Sequence, residues 1–315
     1  MRPRSSLQRR VEFSEAGKKK GKGMNVGIIG LGRMGLPIAK NVIEAGLPVM
    51  GYRRGNMDTL TDSGGVAAGS CREVAERSDV VITCLHEEDF SDAFSGPAGL
   101  IHGVHKNLVV IDLSTATIEV KEQKRQELQS RQAQMLDCPI SGSPMMAGAK
   151  QAVIFASGEK AVYEQCFPVL EAIASNSFYL GPFGAGMKMK YIANLLLAVH
   201  NVAAAEAMVL GAKANLDPEL MLKVISPSIA GSTAFTTRAL MMARGNYLPP
   251  APGPIQTMHE VIELIGAFAR NNSCPTPLFS LATRYYEQAM EEGRGEQDIA
   301  AIYALLGREA GLDML

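Results

Sequence analysis

Three glycines in Gly30-Leu31-Gly32-Arg33-Met34-Gly35 stand in G-x-G-x-x-G spacing, directly after an apolar run and at the head of a helical pattern. The first glycine permits a tight turn, the second lets backbone approach a pyrophosphate, and the third lets helix and strand pack closely. Phosphates would then meet unpaired N–H groups at the positive end of the helix. The run NVGIIG, the glycines, a helix over residues 35–45 and a second strand LPVMGY follow in order within about 30 residues, the context that makes a dinucleotide site credible over an ordinary glycine-rich turn. In NAD sites an Asp or Glu at the end of the second strand accepts hydrogen bonds from the ribose. Here that strand ends Tyr52-Arg53-Arg54-Gly55. Two guanidiniums suit bidentate pairing with a phosphate, so Arg53 and Arg54 point to NADP, with NAD possible. The plainer alternative has these arginines facing solvent or stacking on the adenine.

Further along, Ser141-Gly142-Ser143 precedes Pro144. Its small residues can offer backbone N–H groups and two hydroxyls to a carboxylate; a plain strand-to-helix turn is the other reading. Lys190 and Asn194 are four residues apart in an alanine- and leucine-rich stretch, so a helix puts both on one face. Lys188, two residues away, falls on another face. Taken alone, Lys190 reads as a surface lysine. His102 and His105 have no third ligand nearby and H-E-x-x-H is absent, so no metal site is expected. No G-x-S-x-G or Ser-His-Asp pattern offers acyl transfer.

Two kinds of element must position these groups. Up to about residue 180, short Val- and Ile-rich runs (NVGIIG, LPVMGY, DVVITCL, LVVIDL, QMLDC, AVIFAS, SFYL) alternate with helical patterns. They are apolar nearly throughout, as expected of strands covered on both faces, and predict a mostly parallel, doubly wound α/β sheet. After Gly186 the chain turns helical. Residues 187–214 contain no proline and predict one buried central helix about 40 Å long. LDPELMLKVIS predicts a helix with Asp217 as N-cap and Pro218 in its first turn, and further helices are expected over residues 258–270, 278–292 and 298–311. The expected organisation is a basic tail over 1–23, a dinucleotide-binding α/β domain over 24–185 and an all-α domain over 186–315, joined by the long helix.

The bulk composition fits this division. The 315 residues are 47% hydrophobic and 20% charged, with 31 basic against 32 acidic side chains and a formal charge of −1. That balance argues against nucleic acid or an anionic membrane as the main partner. The five cysteines are scattered and never in C-x-x-C spacing, so a reduced, cytoplasmic protein without a disulfide framework is expected. No uninterrupted apolar run of about 18 residues predicts a transmembrane span. MRPRSSLQRRVEFSEAGKKKGKG is basic and polar and lacks a secretory core; it reads as a disordered tail or as sequence upstream of a start at Met24. A nucleic-acid or membrane contact through Lys18, Lys19, Lys20 and Lys22 is the alternative.

Four stretches together resemble the β-hydroxyacid dehydrogenase family, which includes 3-hydroxyisobutyrate dehydrogenases and the tartronate semialdehyde and succinic semialdehyde (glyoxylate) reductases. They are GIIGLGRMGLPIAKNVIEAG, DLSTATIE, DCPISGSPMMAGAKQAVIFASG and GPFGAGMKMKYIANLLLAVHNVAAAEAM, in family order from Met24 nearly to the end of the chain. The resemblance implies a Rossmann-type domain and a helical domain that close a site between them. It implies hydride transfer between a nicotinamide and a small β-hydroxy acid or semialdehyde, and association into a homodimer or homotetramer. It makes Lys190 the general acid or base, which needs a pKa drawn below the ordinary value of about 10.4, and Asn194 its orienting neighbour. It further implies Leu85, Thr115 and His259 at the cofactor, and Ser141, Gly142, Ser143 and Phe235 at the substrate.

The sequence departs from the family in two places. The family usually has glycine at Ser143 and again near Met145 or Met146, so SPMM alters the acid pocket. Where the family has a Lys-Asp pair on a second-domain helix, this chain has His259-Glu260. A histidine there can donate a hydrogen bond and titrate near neutrality, or can be a bland surface replacement. Asp298 matches a late acidic position and reads as an N-cap. Two rival functions follow: the same fold reducing an imine or bulky aldehyde, and a non-catalytic cofactor-binding scaffold. Retention of Lys190 argues against the second.

Overall fold

The computed structural model describes residues 23–312. The basic tail therefore lies, apart from Gly23, outside the described residues. The first elements are β1 (Val26–Ile29), α1 (Gly35–Glu44), β2 (Val49–Tyr52), α2 (Asp58–Asp62), β3 (Val66–Ala67), α3 (Cys71–Arg77), β4 (Val80–Thr83), α4 (Glu87–Ser95), β5 (Val109–Asp112), α5 (Ile118–Gln129) and β6 (Gln134–Asp137). Their six strands form a fully parallel sheet in the order β3-β2-β1-β4-β5-β6. β1, β4 and β5 are buried along their whole length, which explains why they read as continuous apolar runs. The order reverses between β1 and β4, and in such sheets a ligand binds beyond the carboxyl ends of the strands at that point.

Next come β7 (Ile140–Ser141), α6 (Pro144–Gly148), β8 (Val153–Ala156), α7 (Lys160–Ile173) and β9 (Asn176–Tyr179). AVIFAS and SFYL do not extend the parallel sheet. They form β8 and β9 of a separate three-stranded sheet, in which β8 runs antiparallel to β7 and parallel to β9. The chain turns back just after β6, and an antiparallel bridge from Asp137 to Ser157 ties the two sheets together. That turn passes through Gly142, whose φ of +150° strains any residue with a Cβ. β3 and β7 have two residues each, too short to show a period in sequence.

The remaining chain is helical: α8 (Ala185–Lys213), α9 (Pro218–Ile225), α10 (Thr233–Ala243), α11 (Ile255–Asn271), α12 (Pro277–Glu291) and α13 (Ile302–Glu309). α8 starts after Gly184 in the left-handed region and packs against each of the other five. Its length and mean hydropathy of 1.7 are enough to cross a membrane, yet its buried side chains are the spine of the helical core. Asp217 caps α9 through the Leu220 N–H, with Pro218 at the first turn, as its sequence predicts. α10 is not expected from sequence, because Ser232, Thr233, Thr236 and Thr237 mask its start; Ser232 caps it by accepting from the Phe235 N–H. The last expected helix begins instead as a 3-10 turn over Ile299–Ala301, with Asp298 as N-cap. The helical core and the cores on the two faces of the parallel sheet are separate clusters.

Candidate active site

β1 delivers the chain to Gly30 at the carboxyl edge of the sheet. Gly30 has φ +94°, and a Cβ there would stand 2.2 Å from the Cys84 carbonyl oxygen. On Gly35 a Cβ would lie 2.0 Å from the Gly30 carbonyl oxygen, whereas Gly32 has nothing within 4 Å. Packing thus demands the first and third glycines, while Gly32 faces open space. Met34 precedes α1 and offers no side-chain cap; Leu36 and Ile38 donate to the Gly32 and Met34 carbonyls and Pro37 has no N–H, which leaves the Gly35 N–H for an outside acceptor. These features fit a pyrophosphate at the loop. Leu31 is buried, Met34 is half-buried, and exposed Arg33 donates to the Ala251 carbonyl of the helical domain.

Arg53 and Arg54 follow β2 and are exposed. Arg53 Nη1 donates to the Leu31 carbonyl at 3.1 Å, which sets one guanidinium beside the glycine loop. Arg54 Nη2 pairs with Asp89 Oδ1 on α4 at 2.5 Å. On the other side of the loop, a Cβ on Gly30 would also meet Leu85 Cδ2 at 2.9 Å, which places Leu85 against the glycine loop. The Leu85 N–H donates to Ser114 Oγ, and half-buried Thr115 is the next residue. Cys84 borders the loop too, but burial and then the Asp112 carboxylate push its thiol to about 12, which excludes thiolate chemistry near neutral pH.

α8 carries Lys190 and Asn194. Half-buried Lys190 sends its Nζ to the Ile140 carbonyl at 2.7 Å, so the ammonium is held by the loop that continues into Ser141, Gly142 and Ser143. Burial, and secondarily the positive charge of Lys121, draw Lys190 down to about 8. Asn194 lies one turn on and is 7% exposed, and its amide has no partner among the described residues. Ser141 is half-buried and Gly142 exposed. Ser143 acts locally, its Oγ accepting from the Met146 N–H to cap α6, which accounts for a serine where the family has glycine. Met145 points outward, 79% exposed. Lys188 is solvent-facing.

Two further expected site residues lie on helices packed against α8. Phe235 is 5% exposed and packed in the helical core, because α10 turns its apolar face to α8. His259 is half-buried on α11 and its imidazole has no partner among the described residues. His105 is held by the Ser78 and Lys106 carbonyls, and among the described residues no group of three or more His, Cys, Asp or Glu side chains gathers.

The structure also shows buried ion pairs that sequence reasoning does not give. Lys121 bridges Asp112 and Asp137 in a fully buried ion-pair cluster beneath Lys190. Arg238 and Asp298, 60 residues apart, form a second buried pair at 2.9 Å. Asp298 also accepts from the Gly253 N–H, so this pair anchors the loop that meets Arg33. The carboxylates of DLST and DCPIS are visible as motif letters, but nothing in sequence shows that a lysine joins them.

Comparison with known proteins agrees with this geometry. Residues 25–181 match the NAD binding domain of 6-phosphogluconate dehydrogenase, and residues 184–306 match the family described as NAD-binding of NADP-dependent 3-hydroxyisobutyrate dehydrogenase. The chain is 32% identical to the L-threonate dehydrogenase of Cupriavidus necator over 282 residues, covering 88% of this chain and 94% of that protein. Its structure matches a 3-hydroxyisobutyrate dehydrogenase from Salmonella typhimurium with a TM-score of 0.82 and 30% identity, over 90% of this chain and 99% of the other. An imine reductase from Pseudomonas sp. shares the fold more distantly, with a TM-score of 0.58 and 21% identity over 90% and 100% of the two chains.

Proposed function

We propose, on the premise that the chain belongs to the β-hydroxyacid dehydrogenase family, that this NAD(P)-dependent oxidoreductase interconverts a small β-hydroxy acid and its carbonyl form with Lys190 as proton carrier. The observation that carries the reading is the Lys190 ammonium held at the Ile140 carbonyl, one residue before the small Ser141-Gly142 turn. The bound nicotinamide supplies the hydride acceptor or donor. In the oxidative direction, neutral Lys190 takes the substrate hydroxyl proton; in the reductive direction its ammonium returns a proton to the forming alkoxide. A side chain titrating at about 8 has both forms available near neutral pH, which an ordinary lysine does not. The unpartnered Asn194 amide orients the hydroxyl, and the Ser141-Gly142 turn receives the carboxylate.

NADP is the preferred cofactor in this reading, because a second-strand carboxylate is replaced by Arg53 and Arg54 at the edge of the glycine loop. Apolar side chains left exposed along α8, among them Ile192, Leu196 and Leu210, support a homodimer or homotetramer. L-Threonate, the substrate named for the relative above, belongs to the proposed class. The deciding experiment is a panel of β-hydroxy acids including L-threonate, semialdehydes, glyoxylate and cyclic imines, each with NADPH and NADH. Turnover of a carboxylate substrate, lost in its methyl ester and faster with NADPH, is expected. Turnover confined to imines or uncharged aldehydes refutes the acid pocket.

A further inference from the structure

The chemistry proposed above uses one lysine, yet another lies beneath it. Lys121 on α5 has no exposed surface, and neither have its partners Asp112 and Asp137. Its Nζ donates to Asp137 Oδ1 at 2.8 Å and lies 2.9 Å from Asp112 Oδ2. The two carboxylates end β5 and β6 and face each other in register, so the ammonium separates two like charges at the carboxyl edge of the sheet. Burial alone would lower Lys121, but the two carboxylates more than offset it and hold the side chain charged. Apolar side chains of similar volume in place of a buried ion cluster are often neutral or stabilising, so stability alone is a weak reason for these charges.

Each carboxylate passes the constraint on. Asp112 Oδ1 accepts from Thr83 Oγ1 at 2.7 Å and from the Ser114 N–H at 3.1 Å, and Ser114 in turn accepts from the Leu85 N–H beside the glycine loop. Asp137 Oδ2 accepts from the Met187 N–H at 2.9 Å and from Ser157 Oγ at 3.1 Å, while Ser157 Oγ accepts from the Gly186 N–H at 2.9 Å. That second arm ends on the first turn of α8. One turn later Lys190 reaches Ile140, three residues on from Asp137. Helix and loop are therefore joined twice, once by Asp137 and once by Lys190.

We infer that Lys121, acting through Asp137, is a positioning residue for Lys190: the buried pair fixes the first turn of α8 against the substrate loop, and the Lys121 charge sets the field in which Lys190 gains and loses its proton. This rests on Lys190 being the proton carrier. Among the other charged groups near α8, Glu119 of α5 and Glu87 of α4 act on the neighbouring Tyr191. β7 and β8 bring none, α10 brings Arg238 paired with Asp298, α11 brings half-buried His259, and α9, α12 and α13 turn their charged side chains to solvent. Lys121 is the charge that opposes the Lys190 ammonium.

The test is the pH dependence of Lys190 acetylation by acetic anhydride, read on its own peptide by mass spectrometry in the full chain, for the wild type, Lys121→Met and Asp112→Asn. Lys121→Met removes a positive charge and leaves two carboxylates, so the Lys190 midpoint rises. Asp112→Asn removes a negative charge and leaves the ammonium, so the midpoint falls. Opposite shifts of about half a pH unit or more are expected, the lower end of what a nearby charge does. Lys121→Met should also lower kcat by about tenfold or more, since Lys190 loses its alignment. Midpoints that stay at the wild-type value while both variants merely lose thermal stability overturn the inference. Should Lys121→Met not fold, the isosteric Asp112→Asn decides by itself: a downward shift supports the inference and no shift overturns it. The two possible failures are distinct. Full activity of Lys190→Ala removes the proton role of Lys190, whereas an inactive Lys190→Ala with unmoved midpoints removes only the part assigned to Lys121.

Discussion

Gly186 is where the register of α8 is set, and Gly186→Ala measures how much that register matters. A Cβ there would stand 2.3 Å from the Phe155 carbonyl oxygen, 2.8 Å from the Asp137 carbonyl oxygen and 2.9 Å from Asp137 Oδ2. Carbon and oxygen settle at roughly 3.3 Å, so the first turn of α8 must retreat by about 1 Å. Neither obstacle can yield easily, because Phe155 is in β8 and Asp137 ends β6. The shift is carried one turn along a stiff helix to Lys190. Misplacement of a reacting group by about 1 Å can cost about a hundredfold, and overpacking costs about 1–3 kcal/mol of stability. Steady-state kcat at saturating NADPH should fall by about thirty- to a hundredfold, and urea unfolding should show the stability loss with the m-value unchanged. The control is Gly266→Ala in α11, whose Cβ meets only the far end of the Arg270 side chain at 3.3 Å. It should keep wild-type kcat and gain up to about 1 kcal/mol from helix propensity. Wild-type kcat in Gly186→Ala would show that the seating of α8 does not place Lys190.

Three further outcomes follow from the same geometry. Replacing Arg53 and Arg54 together with serine should raise the KM for NADPH at least about tenfold while NADH changes little, because a bidentate guanidinium–phosphate pair is lost; equal losses would refute the phosphate role. Arg238→Met leaves the Asp298 carboxylate buried without its cation and should cost about 3–5 kcal/mol by denaturant unfolding, and a loss under about 1 kcal/mol would contradict the buried pair. Because Lys190 titrates at about 8, kcat/KM for hydroxy-acid oxidation, which needs the neutral amine, should rise through that pH, and reduction, which needs the ammonium, should fall through it. Limbs of the same sign in both directions would count against Lys190.

The parts of this site that sequence reveals are those written in local order. The glycine loop, the arginines that close β2, and the i,i+4 pair of Lys190 and Asn194 all lie within one crossover or one helix. What stays hidden depends on distance along the chain. Lys121 sits in IEVKEQKRQELQ, a charged helix in which one more lysine reads as solvated, and only the fold reveals two carboxylates from neighbouring strands around it. Arg238 and Asp298 meet across 60 residues in the same way. Val153–Ala156 and Asn176–Tyr179 have the composition of strands, but composition does not say to which sheet a strand belongs. Phe235 carries a substrate role by resemblance alone, and its burial in the helical core follows from the direction α10 faces, which an unrecognised helix could not show.

The most direct measurement is the kinetics of Lys190→Ala with a carboxylate substrate found in the panel, together with NADPH binding by fluorescence titration. A general acid or base contributes at least about a hundredfold, so kcat should fall by that much or more while NADPH binding stays at the wild-type value. Turnover retained within a few-fold of wild type would contradict the account at its centre.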